Sequence, residues 1–224
     1  MSEQVQRVEI PTEQLQIPRA SVFRYMGLRG TEPDGALAGL TETCLFNFSR
    51  TVRYRACYLV LPVCQAESGV DFGAFFAPSK NLAKNLAGCD RAILFAATTG
   101  MEAEIQRKRA AVISPAQALV LDAIGTAAIE CFCDALCDRW RKEFTGSFLR
   151  PRFSPGYGDL PLALQKPLLE CLDSSRTAGI NLTDALLMIP QKSVSAIVGI
   201  GREGCTAQFH DCTLCNKSDC EFRL

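Results

Sequence analysis

The spacing of apolar and polar residues changes period several times along this chain, and each change marks an element. Near the N-terminus RVEI (7–10) alternates with a period of two, which predicts a short strand in an otherwise extended arm over residues 1–20. Residues 21–50 place an aromatic turn at Tyr25-Met26-Gly27 and a Pro-Asp-Gly turn at 33–35 ahead of a modest helix. RYRACYLVLPV (53–63) is dense in aromatic and β-branched residues and predicts a strand. DFGAFFAP (71–78), after the turn at Glu67-Ser68-Gly69, predicts another. Ser79 is placed to cap a short helix over SKNLAKNLAGC, closed by Gly88. ILFAATTG (93–100) reads as a buried strand that delivers a polar turn.

The clearest pattern lies over residues 115–144. Ser114 suits an N-cap and Pro115 the first helical position. Leu121, Ile124, Ala128, Cys131, Phe132, Ala135, Leu136 and Trp140 then follow the three-and-four spacing of one buried face. Gly125 and the alanines around it allow close approach by another backbone or a ligand, and DRWRKEF ends the helix with basic residues. Further on, QKPLLECLDSSRTAG (165–179) predicts a helix stopped at Gly179. NLTDALLMIP (181–190) is short and apolar and begins with a turn at Thr183, and SVSAIVGIG (193–201) predicts a closing strand. Strands and helices are thus interspersed along the whole chain.

Residues 149–165, LRPRFSPGYGDLPLALQ, follow neither period. A structural turn needs only about four residues, and this segment is stiff and basic instead. Pro151 and Pro155 fix φ and remove donors, while Gly156 and Gly158 permit backbone angles closed to other residues. Arg152 has the geometry to grip a carboxylate with two N–H groups, and Tyr157 offers a flat face with a polar edge. Taken alone, the segment fits an ordered crossover between helices as well as it fits a binding loop.

Composition narrows the function. Lys+Arg and Asp+Glu number 24 each, so no net field draws the chain to nucleic acid or to an anionic membrane. No run of eighteen apolar residues spans a bilayer and no apolar secretory core opens the chain, so the expectation is a soluble, cytoplasmic protein. No strand-to-helix glycine fingerprint of a nucleotide-binding fold is present. GIGREG (199–204) follows the last strand without opening a helix.

The loop and the segments around it carry a family resemblance. RFSPGY (152–157), LTDALLMIP (182–190), KSVSAIVGI (192–200) and the helix ECFCDALCDRWRKEF (130–144) occur in order over about residues 90–200. Together they resemble the activation (reactivation) domain of cobalamin-dependent methionine synthase, in its short, free-standing form, and this resemblance implies an α+β fold: a twisted, mainly antiparallel sheet with flanking helices. The resemblance implies a domain that binds S-adenosylmethionine and supports reductive remethylation of cob(II)alamin on a methionine synthase or other corrinoid protein. The electron would come from a donor such as flavodoxin or ferredoxin.

Carried across residue by residue, the resemblance makes Arg152 the partner of the ligand carboxylate and Glu130 an acid near its amino end. Ser154 becomes a backbone contact within the turn Ser154-Pro155-Gly156, and Tyr157 the ring over the corrin region. The competing structural roles are an Arg152 ion pair with Asp159 or Glu143, an exposed helix acid at Glu130 and a core-edge aromatic at Tyr157. Two departures stand out. Ala196 replaces the glycine of the family's Ser-Val-Ser-Gly, and GIGREGCTAQ lacks the tyrosine that larger members carry after this strand. No acid in the first ninety residues aligns with a ligand contact.

Twelve cysteines are the one compositional anomaly. Cys44, Cys57, Cys64, Cys89, Cys131, Cys133, Cys137 and Cys171 sit in apolar contexts and read as small buried residues of a reducing compartment. Cys205, Cys212, Cys215 and Cys220 crowd the end of the chain around His210, the single histidine. Their spacing fits zinc or an iron–sulfur cluster, and it fits free or redox thiols as well. The expected organisation is therefore an S-adenosylmethionine-binding domain over 1–204 and a Cys-rich metal-binding tail over 205–224. An activation subunit is the leading reading. The alternative is a non-catalytic metal-binding adaptor or chaperone for a corrinoid methyltransferase. An independent corrinoid methyltransferase is disfavoured, because no zinc–thiol pocket is apparent outside the tail.

Overall fold

Five strands form the central sheet, in the order β1 (Gln6–Ile10), β2 (Tyr54–Pro62), β6 (Cys89–Thr98), β10 (Ser193–Gly201) and β7 (Phe148–Leu149). Each neighbouring pair is antiparallel. The computed structural model describes residues 4–28 and 33–202. The predicted Cys-rich tail and the boundary at 204/205 lie outside the described residues.

The middle strands are apolar on both sides because both faces of the sheet are covered. On β6, Ile93, Phe95 and Ala97 enter one core, whereas Ala92, Leu94 and Ala96 enter the other. The first core lies beneath α5 (Pro115–Glu143), with α1 (Arg19–Tyr25), α2 (Gly35–Ser49) and α4 (Met101–Ile113) packed beside it. Trp140 on α5 is fully buried, and its ring meets Tyr58 at 5.3 Å and Phe95 at 5.1 Å, both edge-on. Phe132, two turns earlier on the same face, packs on Tyr54 at 5.2 Å. Each such side chain stabilises the fold by about 1.5–3 kcal/mol through removal from water.

The second core lies on the opposite face, under α3 (Lys80–Asn85), α6 (Gln165–Cys171) and α7 (Ser174–Thr177). The small sheet β3 (Cys64–Ala66), β4 (Gly69–Asp71), β5 (Phe76–Ala77) and the hairpin β8 (Asn181–Leu182), β9 (Met188–Ile189) complete that layer.

Ser114 caps α5 as predicted, its hydroxyl accepting from Gln117 N, and Ser79 caps α3 by accepting from Leu82 N. Four expectations need correction. The arm expected to be extended over 1–20 gives way at Arg19 to a helix, α1, which leads into the turn expected at 25–27. DFGAFFAP is not one strand: Asp71 accepts from Gly73 N, Gly73 takes φ 78°, and the chain turns there between β4 and β5. The helix expected over 165–179 breaks at Asp173, whose φ of 45° separates α6 from α7. Cys131 and Ala135 are only half-buried on α5, while Ala123, Ala127, Cys133 and Cys137 are buried because α5 is covered on its flanks as well as underneath.

Of the cysteines expected in the interior, Cys44, Cys57, Cys89, Cys133 and Cys137 are buried, Cys131 and Cys171 are half-buried, and Cys64 is exposed. Among the described residues no helix is long and apolar enough to cross a membrane.

Candidate functional site

The loop after α5 runs along the edge of the sheet before it turns away. Beyond β7, Arg150 N donates to Gly199 O at 2.8 Å, and Phe153 and Ile197 exchange both backbone bonds at 2.9 Å. Pro151 is tolerated because this is an edge, where a missing N–H interrupts no interior ladder. Extended backbone sends neighbouring side chains to opposite sides. Phe153 therefore buries its ring in the second core, and Arg152 faces α5.

Ser154–Tyr157 then forms a hydrogen-bonded turn, Tyr157 N donating to Ser154 O at 3.0 Å. Pro155 occupies its second position and Gly156, at φ 89°, its third, as a type II turn requires. The far end of the loop is also pinned. Asp159 accepts from the Ser79 hydroxyl, from Lys80 N at 2.9 Å and from Asn81 N at 3.2 Å, so it holds the N-terminus of α3. The Ser79 hydroxyl, with those backbone N–H groups, holds the Asp159 carboxyl below the usual carboxylate range.

Arg152 Nη2 meets Glu130 Oε2 at 3.0 Å and Asp134 Oδ1 at 3.1 Å. The two acids lie one turn apart on α5, which puts them on one face of the helix. The guanidinium is largely enclosed, its side chain 24% exposed, against 42% for Glu130 and 70% for Asp134. Burial opposes its charge, but the Glu130 and Asp134 carboxylates hold the proton on it and raise its pKa. Cys133 lies under the pair as a neutral thiol, pushed well above its ordinary value by burial. Arg152 Nη1 is buried and has no hydrogen-bond partner.

The structure thus brings Arg152 and Glu130 together across a sequence separation of 22 residues. It does not pair Arg152 with Asp159 or Glu143; Asp159 caps α3, and Glu143 accepts from the Tyr58 hydroxyl at 3.2 Å. Tyr157 is 65% exposed and stands edge-on at 5.4 Å to Phe153, a residue of the second core. Pro155 is buried, Ser154 half-buried and Gly156 exposed. Ala196 belongs to the first core, and Ser195 beside it is buried with a hydroxyl that has no partner. The space over Gly125 is filled by the Lys192 stem, whose Nζ reaches Thr126 Oγ1 at 2.7 Å and Asp122 at 3.1 Å.

Asp134 is the member that sequence reasoning missed. Its position four residues after Glu130 on a predicted helix was the available signal. A separate surface cleft of about 520 Å³ lies between α6, α7 and the β8–β9 hairpin, bordered by Lys166, Glu170, Asp173, Asn181 and Asp184. None of the predicted site residues lines it. Cys205, Cys212, Cys215 and Cys220 lie outside the described residues, among which no group of three or more His, Cys, Asp or Glu side chains is arranged to hold a metal ion.

The antiparallel sheet with its long covering helix defines the class of fold. This is the methionine synthase activation-domain fold. The crystal structure of the MetH reactivation domain bound to AdoHcy matches it with a TM-score of 0.70, over 91% of this chain and 80% of that one, at 18% sequence identity. No family model matches the chain, and neither does any curated protein.

Proposed function

We propose that this protein binds S-adenosylmethionine at the Arg152–Glu130 pair and supports reductive remethylation of cob(II)alamin on a methionine synthase or related corrinoid protein. The observation that carries this reading is the meeting of Arg152 and Glu130 in a chain whose fold matches a domain crystallised with AdoHcy. The residues suit the ligand. A buried guanidinium nitrogen without a partner is a donor in want of an acceptor, and a ligand carboxylate supplies one. Glu130 then faces the ligand's ammonium, so opposite charges bracket both ends of the amino acid.

The methyl group is the ligand's own, and the nucleophile is the partner's reduced cobalt after it has gained an electron from a donor such as flavodoxin or ferredoxin. This chain's residues bind and orient. Arg152 and Glu130 grip the amino-acid end, the Ser154–Tyr157 turn offers backbone groups beside it, and the exposed Tyr157 ring is available to pack on the corrin. The chemistry then belongs to the cofactors and the positioning to the protein.

The test is absorbance spectroscopy on a cob(II)alamin-loaded methionine synthase that lacks its own activation domain, supplied with reductant and S-adenosylmethionine. Methylcobalamin should form only when this chain is added. Equal rates with and without the chain would contradict the proposal. Loss of function on removing the tail cysteines, with Arg152→Ala fully active, would favour a metal-binding adaptor instead.

A further inference from the structure

We propose that Asp134 is a positioning residue of this site, holding the Arg152 guanidinium in place while Glu130 turns to a ligand's ammonium group. The inference rests on the reading above. In the ligand-free chain a single nitrogen, Nη2, serves both acids, at 3.0 Å to Glu130 and 3.1 Å to Asp134. That nitrogen carries two hydrogens, so both are engaged. A carboxylate gripped by two parallel N–H groups needs Nη1 and Nη2 together, or Nε and Nη2. One acid must therefore yield its hydrogen bond when a ligand carboxylate arrives.

The ligand's ammonium decides which acid yields. Glu130 is the more enclosed of the two, at 42% against 70% for Asp134. A half-exposed carboxylate that gives up one cation is compensated by taking another, and the ammonium of an incoming amino acid provides it on the ligand side of the pair. Asp134, at the wet end of the cluster, keeps its bond to Arg152 throughout. It fixes the rotamer of a long side chain that would otherwise lose freedom on binding, and it keeps a largely enclosed cation compensated.

The proposal predicts a difference between ligands. Asp134 acts through Arg152, and Arg152 reads only the carboxylate end. Asp134→Asn should weaken S-adenosylmethionine binding about three- to fivefold, the range expected when a partly exposed ion pair is lost. Decarboxylated S-adenosylmethionine, which has no carboxylate, should be unaffected, and Asp134→Glu should restore tight binding of the intact ligand. A non-specific field effect predicts the opposite order, because the decarboxylated ligand carries more net positive charge and would suffer more from loss of an acid.

The experiment is calorimetric titration of the full chain and both variants with each ligand. Equal or larger losses for the decarboxylated ligand would overturn the proposal, as would unchanged or tighter binding of S-adenosylmethionine to Asp134→Asn. Failure of the unaltered chain to bind S-adenosylmethionine would overturn the functional reading and this inference together. The unaltered chain therefore separates the two failures.

Discussion

Phe153 touches no proposed ligand, yet the site depends on it. Its ring is 6% exposed within the second core, and its backbone is paired in both directions with Ile197. Roughly 150–250 Å² of a buried aromatic at about 25 cal/mol per Å² gives an upper bound near 4–6 kcal/mol. Deletions of buried Phe side chains to Ala cost about 3–5 kcal/mol, because the cavity collapses only in part. The contact with Tyr157 adds only about 0.5 kcal/mol, since that ring is mostly in water.

Phe153→Ala should therefore destabilise the chain by about 3–5 kcal/mol and Phe153→Leu by about 1–1.5 kcal/mol. Urea unfolding followed by tryptophan fluorescence reads this directly, because Trp140 is the single tryptophan and is fully buried. The neighbouring Arg152 also loses its fixed approach to α5. Under conditions where both variants stay folded, S-adenosylmethionine should bind more weakly to the alanine variant than to the leucine one. A loss below about 1 kcal/mol for Phe153→Ala would refute the packing argument. A folded alanine variant with unchanged affinity would refute the link from packing to site.

Two further expectations concern charge and thiols. The Lys108 ammonium beside Glu104, and the Gln191 N–H, hold the Glu104 carboxyl below its ordinary value of 4.5. A depressed folded value stabilises the fold fully above about pH 4.5 and loses that contribution as the pH falls through the folded value. Glu104→Gln should flatten this acid limb in urea midpoints measured from pH 6 downward, and an unchanged limb would contradict the assignment. Native alkylation with iodoacetamide at pH 8, followed by peptide mapping, should label the exposed Cys64 promptly. It should label Cys133, fully buried and with its thiol pushed up by burial, only after denaturant is added. Labelling of Cys133 in the folded chain would show that α5 opens locally.

What was legible in the sequence was what burial writes there. α5 carries a cap, a first-position proline and a periodic apolar face, and the long strands β2, β6 and β10 are apolar runs because each is covered on both sides. α4 left no such mark. Only Ala103 and Ala110 are buried on it, while Met101, Ile105, Val112 and Ile113 face water, so its pattern shows no single apolar stripe. α1 is equally quiet, with Val22 alone buried. The breaks at Gly73 and Asp173 are set by one backbone angle each, below the resolution of any hydrophobic period.

The site divided along the same line. Arg152, Pro155, Gly156 and Tyr157 stood out in a stiff, basic loop that by itself fitted a crossover equally well, and the family resemblance turned that loop, with Ser154, into a candidate site. Glu130 needed the family resemblance, because a half-exposed acid on a helix is ordinary by itself. Asp134 became visible only when the loop was seen to fold back on α5.

The central claim is that the Arg152–Glu130 pair binds the charged end of S-adenosylmethionine, and calorimetric titration of the unaltered chain and of Arg152→Ala tests it most directly. The account predicts saturable binding to the unaltered chain and a loss of roughly 30- to 100-fold in the variant, the scale of a charge-assisted pair to a carboxylate. Absence of binding to the unaltered chain, or equal affinity in the two proteins, would contradict it.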